Sequence, residues 1–183
     1  QKVELYRYFG ALAGNTAFVT PIPMFNVLNG GKHAKNGIEI QECMLVPIGF
    51  SRMRERVDAA VACVVTLKTL IEQKGHGTEI GDEGGFAPAL KTNDEAMNLL
   101  VSAITAASYT TGQIKLALDV AASSLNNFDK EKMSAWYKTI AKNYPLTSIE
   151  DPFTEDDWER FAALRAAIGK RILIIGDDLT VTN

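Results

Sequence analysis

Three apolar runs in this chain each end in a carboxylate, at a nearly constant interval. Lys115-Leu-Ala-Leu-Asp119 runs into Asp119, Leu146-Thr-Ser-Ile-Glu150 into Glu150, and Ile172-Leu-Ile-Ile-Gly-Asp177 into Asp177. Steps of about thirty residues are the length of one β-strand–helix–β-strand unit. Pro152, which cannot donate to a strand ladder, stops the middle run just beyond its acid. Acids at the exits of successive parallel strands converge at one end of a sheet, and this convergence constrains both the fold and the chemistry.

The remainder of the chain fits around that repeat. Leu5, Tyr6, Phe9 and Leu12 share helical spacing over residues 3–13, and Gly14-Asn15 is a stop signal. A proline-bearing loop leads to a short strand at Phe25–Leu28, and Asn29-Gly-Gly31 turns the chain. A second strand is expected from Ile38 to Ile48, where Glu42 shares its parity with Ile40, Met44 and Val46. A charge on an otherwise apolar face points to something binding there. A long helix should follow, capped by Ser51 and ending near Lys74, with Met53, Val57, Val61, Val64 and Ile71 as its apolar stripe. After the glycine-rich acidic loop Gly77–Pro88, Thr92 and Glu95 have the spacing of a capping box. From there strands and helices alternate: a strand to Asp119, a helix around Met133–Ile140, a strand to Glu150, a helix Trp158–Ile168 capped near Thr154, and a strand to Asp177. The expected class is therefore α/β, with parallel strands covered by helices. No Gly-x-Gly-x-x-Gly follows the first strand, which weakens the dinucleotide-binding version. Polar groups at several strand exits favour a TIM-like (β/α) barrel, of which about five strands would be a part, since a whole barrel takes roughly 250 residues.

Bulk properties exclude several function classes. At 183 residues the chain is long enough for one core, and its formal charge of −3 gives no basic footprint for nucleic acid. No apolar run approaches the length of a membrane span, and no signal peptide is visible. Cys43 and Cys63 lie in apolar contexts and read as reduced core residues, which fits a cytoplasmic protein. Neither Gln1 nor Asn183 resembles a natural terminus, so residues 1–183 are expected to be a piece of a longer protein.

Converging carboxylates repel one another, and the repulsion requires a cation or shifted pKa values. The candidate donors are all oxygens with no nearby His or Cys cluster, which favours Mg²⁺ or Mn²⁺ over zinc. Each acid taken alone could instead cap the next helix. In Gly81-Asp-Glu-Gly-Gly85, glycines allow close backbone approach, and Glu83 could project as a general acid; the plainer alternative is an acidic surface turn. His33, in a glycine-flanked loop, is a further candidate, with a surface role as its alternative.

A family resemblance rests on specific stretches in order. Asn26-Val-Leu-Asn-Gly-Gly-Lys-His33, Gln41-Glu42, Gly81-Asp-Glu-Gly-Gly-Phe-Ala-Pro88, Leu118-Asp-Val-Ala-Ala-Ser123, Ser148-Ile-Glu-Asp-Pro152 and Gly176-Asp-Asp-Leu-Thr-Val-Thr-Asn183 resemble enolase. The resemblance covers essentially the whole chain and implies the first part of the enolase C-terminal barrel domain, which opens with two antiparallel strands and two helices. It implies a cytoplasmic glycolytic lyase interconverting 2-phosphoglycerate and phosphoenolpyruvate through a Mg²⁺-stabilised enolate, usually as a homodimer. By position, Asp119, Glu150 and Asp177 match the metal ligands, Glu83 the acid assisting departure of the hydroxyl, and Glu42 its partner. His33 matches a substrate-closing residue, and Gln41 lies beside the substrate. The family's catalytic lysine falls beyond Asn183, so these residues alone are expected to be inactive. The segment between Ser123 and Phe128 is much shorter than the family's lid loop, and Ser124 and Lys32 depart from its commoner residues. Two alternatives remain: another enzyme of the enolase superfamily, or a non-catalytic binding protein on the same scaffold.

Overall fold

The computed structural model describes residues 2–34, 36–126 and 128–182, apart from the side chain of His33. The element order is α1 (Leu5–Leu12), β1 (Phe25–Asn29), β2 (Glu42–Val46), α2 (Met53–Gln73), α3 (Asn93–Ala106), β3 (Lys115–Asp119), α4 (Lys130–Asn143), β4 (Leu146–Glu150), α5 (Trp158–Ile168) and β5 (Leu173–Ile175). The strands form one sheet in sequence order, β1-β2-β3-β4-β5. β1, β2 and β3 pair antiparallel, whereas β3, β4 and β5 pair parallel. Two antiparallel strands and two consecutive helices precede the regular alternation, as expected for the opening of an enolase-type barrel.

The sheet has two unlike faces because successive side chains alternate. Cys43, Leu45, Leu116 and Leu118 point into the main core, together with Leu67 and Ile71 of α2 and Met97, Leu100 and Ile104 of α3. Met44, Val46 and Ala117 form a small separate cluster on the opposite face. Glu42 shares that second face, so its odd parity reflects a sheet side that is not the helix-covered core. The second strand is shorter than residues 38–48: it starts at Glu42, and Ile40 packs into the main core from the preceding loop.

Several local expectations are corrected. Arg52, not Ser51, stands at the start of α2, where Glu55 Oε2 accepts its N–H at 3.2 Å. The buried face of α2 is Ala59, Ala60, Cys63, Leu67 and Ile71, while Met53, Val57 and Val61 are exposed. Two stripes with the same period coexist on this helix, and the one with small residues is buried. Thr92 does cap α3 by accepting the Glu95 N–H, but Glu95 Oε2 accepts from Lys91 rather than completing the box at Thr92. Asp157, not Thr154, caps α5 and also receives Lys130 Nζ at 2.8 Å. Gly169 ends α5 with a φ of +73°. Cys43 and Cys63 are free and buried, with burial pushing their thiols up to about 12 and about 11. No helix among the described residues is long and apolar enough to cross a membrane.

Candidate active site

Strand register, more than any single motif, assembles the site. Asn29 pairs with Glu42, Glu42 with Asp119, Asp119 with Glu150, and Glu150 with Ile175. Residues paired across a sheet point to the same face, so Glu42, Asp119 and Glu150 form one row along the strand ends. Asp177 follows two residues after the end of β5.

The row is electrostatically crowded. Burial, then the Glu150 charge, pushes the Asp119 carboxyl up to about 7, with Asp151 and Glu83 adding to the rise and the Ala121 N–H opposing it. Burial also raises Glu150, with Asp151, Asp177, Glu42 and Asp178 all contributing in the same direction. Asp178, beside the exposed Asp177, is raised by burial and by Asp151 and Asp177. The acids are therefore within one another's fields. Among the described residues, no three His, Cys, Asp or Glu side chains stand at joint coordinating distance. The donor set nonetheless fits a hard divalent cation in chemistry and charge: all oxygens, all acidic, partly desolvated and mutually repelling.

The glycine-rich loop joins this row through β1. Asn29 N–H donates to Phe86 O at 2.8 Å and Phe86 N–H to Val27 O at 3.0 Å, so the loop runs along the outer edge of β1. Glu83 is then turned toward the row, not into solvent. Its Oε1 accepts from Gln41 Nε2 at 3.3 Å and its Oε2 from Asn29 Nδ2 at 3.1 Å. Gln41 Nε2 also reaches Asp119 Oδ2 at 3.5 Å, linking the loop acid to the strand-end acids. Gln41, Glu42, Glu83, Asp119, Glu150 and Asp177 thus belong to one constellation. The backbone of His33 closes a 3-10 turn, Gly31–His33, and its side chain lies outside the described residues.

A comparison with protein-family models matches residues 17–183 to the family described as enolase, C-terminal TIM barrel domain. The chain belongs to the enolase C-terminal barrel family. In this enolase-type domain the row of acids lies at the carboxyl ends of β3 and β4, the end where barrel enzymes place their chemistry.

Two further residues bonded to this constellation are not singled out in the sequence. Asn29 reads there as part of a turn, yet it is fully buried and reaches Glu83. Asp151 reads as the neighbour of Glu150. It is 3% exposed, adopts a φ of +38°, and accepts the N–H groups of Asp177 and Asp178 at 3.1 and 2.8 Å. Asp151 also donates its own N–H to Ile175 O at 3.0 Å and accepts from Ala122 N–H at 3.2 Å, tying together the exits of β3, β4 and β5. A buried acid with a positive φ just after a strand is a signal that only backbone geometry reveals.

Proposed function

We propose that this chain is the acid- and metal-bearing part of a phosphopyruvate hydratase, the lyase that interconverts 2-phospho-D-glycerate with phosphoenolpyruvate and water. The observation that carries the reading is the single row Glu42–Asp119–Glu150 with Glu83 docked to it through Gln41. Asp119, Glu150 and Asp177 would hold Mg²⁺, which when bound supplies positive charge against the negative charge developing on the substrate carboxylate. The raised Asp119 and Glu150 support this role, because a site that penalises its own negative charges is stabilised by a cation.

The protein groups have separate tasks. Glu83 is oriented by amide donors on both oxygens and gives its proton to the departing hydroxyl, which leaves as water. Glu42, on the same sheet face as Asp119, acts as its partner. Gln41 keeps the acid and the metal side in register, and the resemblance gives His33 a substrate-closing role. The proton on the carbon acid is taken by a base outside this chain, a lysine in the family it resembles. The same reading places the full-length protein in the cytoplasm as a homodimer. In that full-length context, Glu150→Gln should weaken Mg²⁺ binding by at least about tenfold. An unchanged calorimetric titration would show that Glu150 is not a ligand.

A further inference from the structure

We propose that Asn29 is the positioning residue for Glu83: its carboxamide, not the glycine-rich loop by itself, decides where the acid's carboxyl stands. This rests on the reading of Glu83 as the acid. Asn29 ends β1 and pairs with Glu42, so strand pairing fixes its backbone. Its side chain is completely buried and occupied at both ends. Oδ1 accepts from Gly85 N–H at 2.8 Å, while Nδ2 donates to Gln41 O at 3.2 Å and to Glu83 Oε2 at 3.1 Å. Both amide hydrogens are therefore committed. Turning the amide over would set N–H against N–H at Gly85 and oxygen against oxygen at Gln41 and Glu83, so the amide has one allowed orientation.

The loop is shaped to receive this side chain. A Cβ on Gly85 would stand 2.6 Å from Asn29 Oδ1, and a Cβ on Gly81 would stand 3.0 Å from both Asn29 Cβ and Oδ1. Glycines that look from the sequence like room for a ligand are room for Asn29. Asn26 Nδ2 adds a weaker tie to Glu83 O at 3.3 Å. A second donor to the carboxyl, Gln41, is itself held by Asn29 through its backbone oxygen. Loop backbone, Gln41 backbone and Glu83 carboxyl all meet on one amide.

The test is a double-mutant cycle in the full-length protein: Asn29→Asp, Glu83→Gln and the pair, with 2-phosphoglycerate dehydration and thermal unfolding measured for each. Asn29→Asp keeps the acceptor for Gly85 but replaces the donor facing Glu83 with an oxygen. Its kcat should fall about 10- to 100-fold with KM nearly unchanged, the effect of a misplaced acid on a correctly bound substrate. In the Glu83→Gln background the same substitution should cost almost nothing further, because there is no acid left to misplace. Equal costs in both backgrounds, or a loss explained by the unfolded fraction alone, would make Asn29 merely structural and overturn the proposal. Wild-type activity in Glu83→Gln would overturn the acid reading itself, and the proposal with it.

Discussion

At the scale of single residues, burial against charge decides behaviour. Asp119 titrates near 7 in the fold against an ordinary carboxylate value of 3.8. A folded-state pKa raised above the unfolded one contributes stability that is full below about pH 4 and is lost as pH rises through about 7. The metal-free protein should therefore be less stable at pH 8 than at pH 5, by about 1–2 kcal/mol once partial exposure is allowed for. Mg²⁺ should reduce the difference, and Asp119→Asn should shrink it without metal, leaving the part due to the likewise raised Glu150; thermal melts across that range check both. Tyr137 is a second case. Its buried hydroxyl donates to Pro152 O at 2.9 Å, and its ring meets Phe153 edge-on with centroids 5.7 Å apart. Burial accordingly drives the phenol well above its usual range. Tyr137→Phe leaves the Pro152 carbonyl unpaired beside the Glu150 exit and should cost about 1–3 kcal/mol in urea unfolding. A loss below a few tenths would mean water replaces the hydroxyl.

At the scale of elements, the site depends on where loops are pressed against strands. Gly84 and Gly85 are neighbours with different reasons for being glycine. Gly84 has a φ of +87° and open space around its missing Cβ, whereas a Cβ on Gly85 would press on Asn29 Oδ1 at 2.6 Å and Leu28 N at 2.9 Å. Gly84→Ala should cost about 1 kcal/mol from backbone strain alone. Gly85→Ala should cost more, about 2–3 kcal/mol, because β1 cannot give way. Denaturant unfolding of the two variants ranks them, and the reverse order would refute the packing argument. The motif Gly81–Gly85 was legible as special in the sequence, but the reason was not, because its partner Asn29 lies more than fifty residues away. The same limit explains α2: spacing suggested one stripe through Met53, Val57, Val61, Val64 and Ile71, and only the position of α3 and the sheet showed that Cys63 and Leu67 face inward while Val57 and Val61 do not.

At the scale of the whole molecule, the open sheet is the governing feature. Two unpaired edges are the natural expectation for part of a barrel. One of them is partly dressed, since Phe86 bridges to Leu28 along β1. β5 is the other terminal strand, with Leu173 56% exposed, and α1 presents Leu5, Phe9 and Leu12 at 60% exposure or more. An unpaired edge and exposed apolar side chains each favour association. The isolated chain should self-associate, seen as concentration-dependent light scattering and a broad melt. A cooperative, concentration-independent transition of a monomer would show that these surfaces are harmless alone.

Period and terminal residue are local properties of a chain, so the alternation of strands and helices, the placement of Asp119 and Glu150 at strand ends, and the family were set by the sequence; the strand expected to run to Asp177 instead stops at Ile175, two residues short of it. Tertiary structure decided what those residues meet. Register put Glu42, Asp119 and Glu150 in one row, β1 drew the loop in so that Glu83 turned inward, and Asn29 and Asp151 became buried hubs. Pairing and burial are set by residues distant in sequence, and no local spacing encodes them.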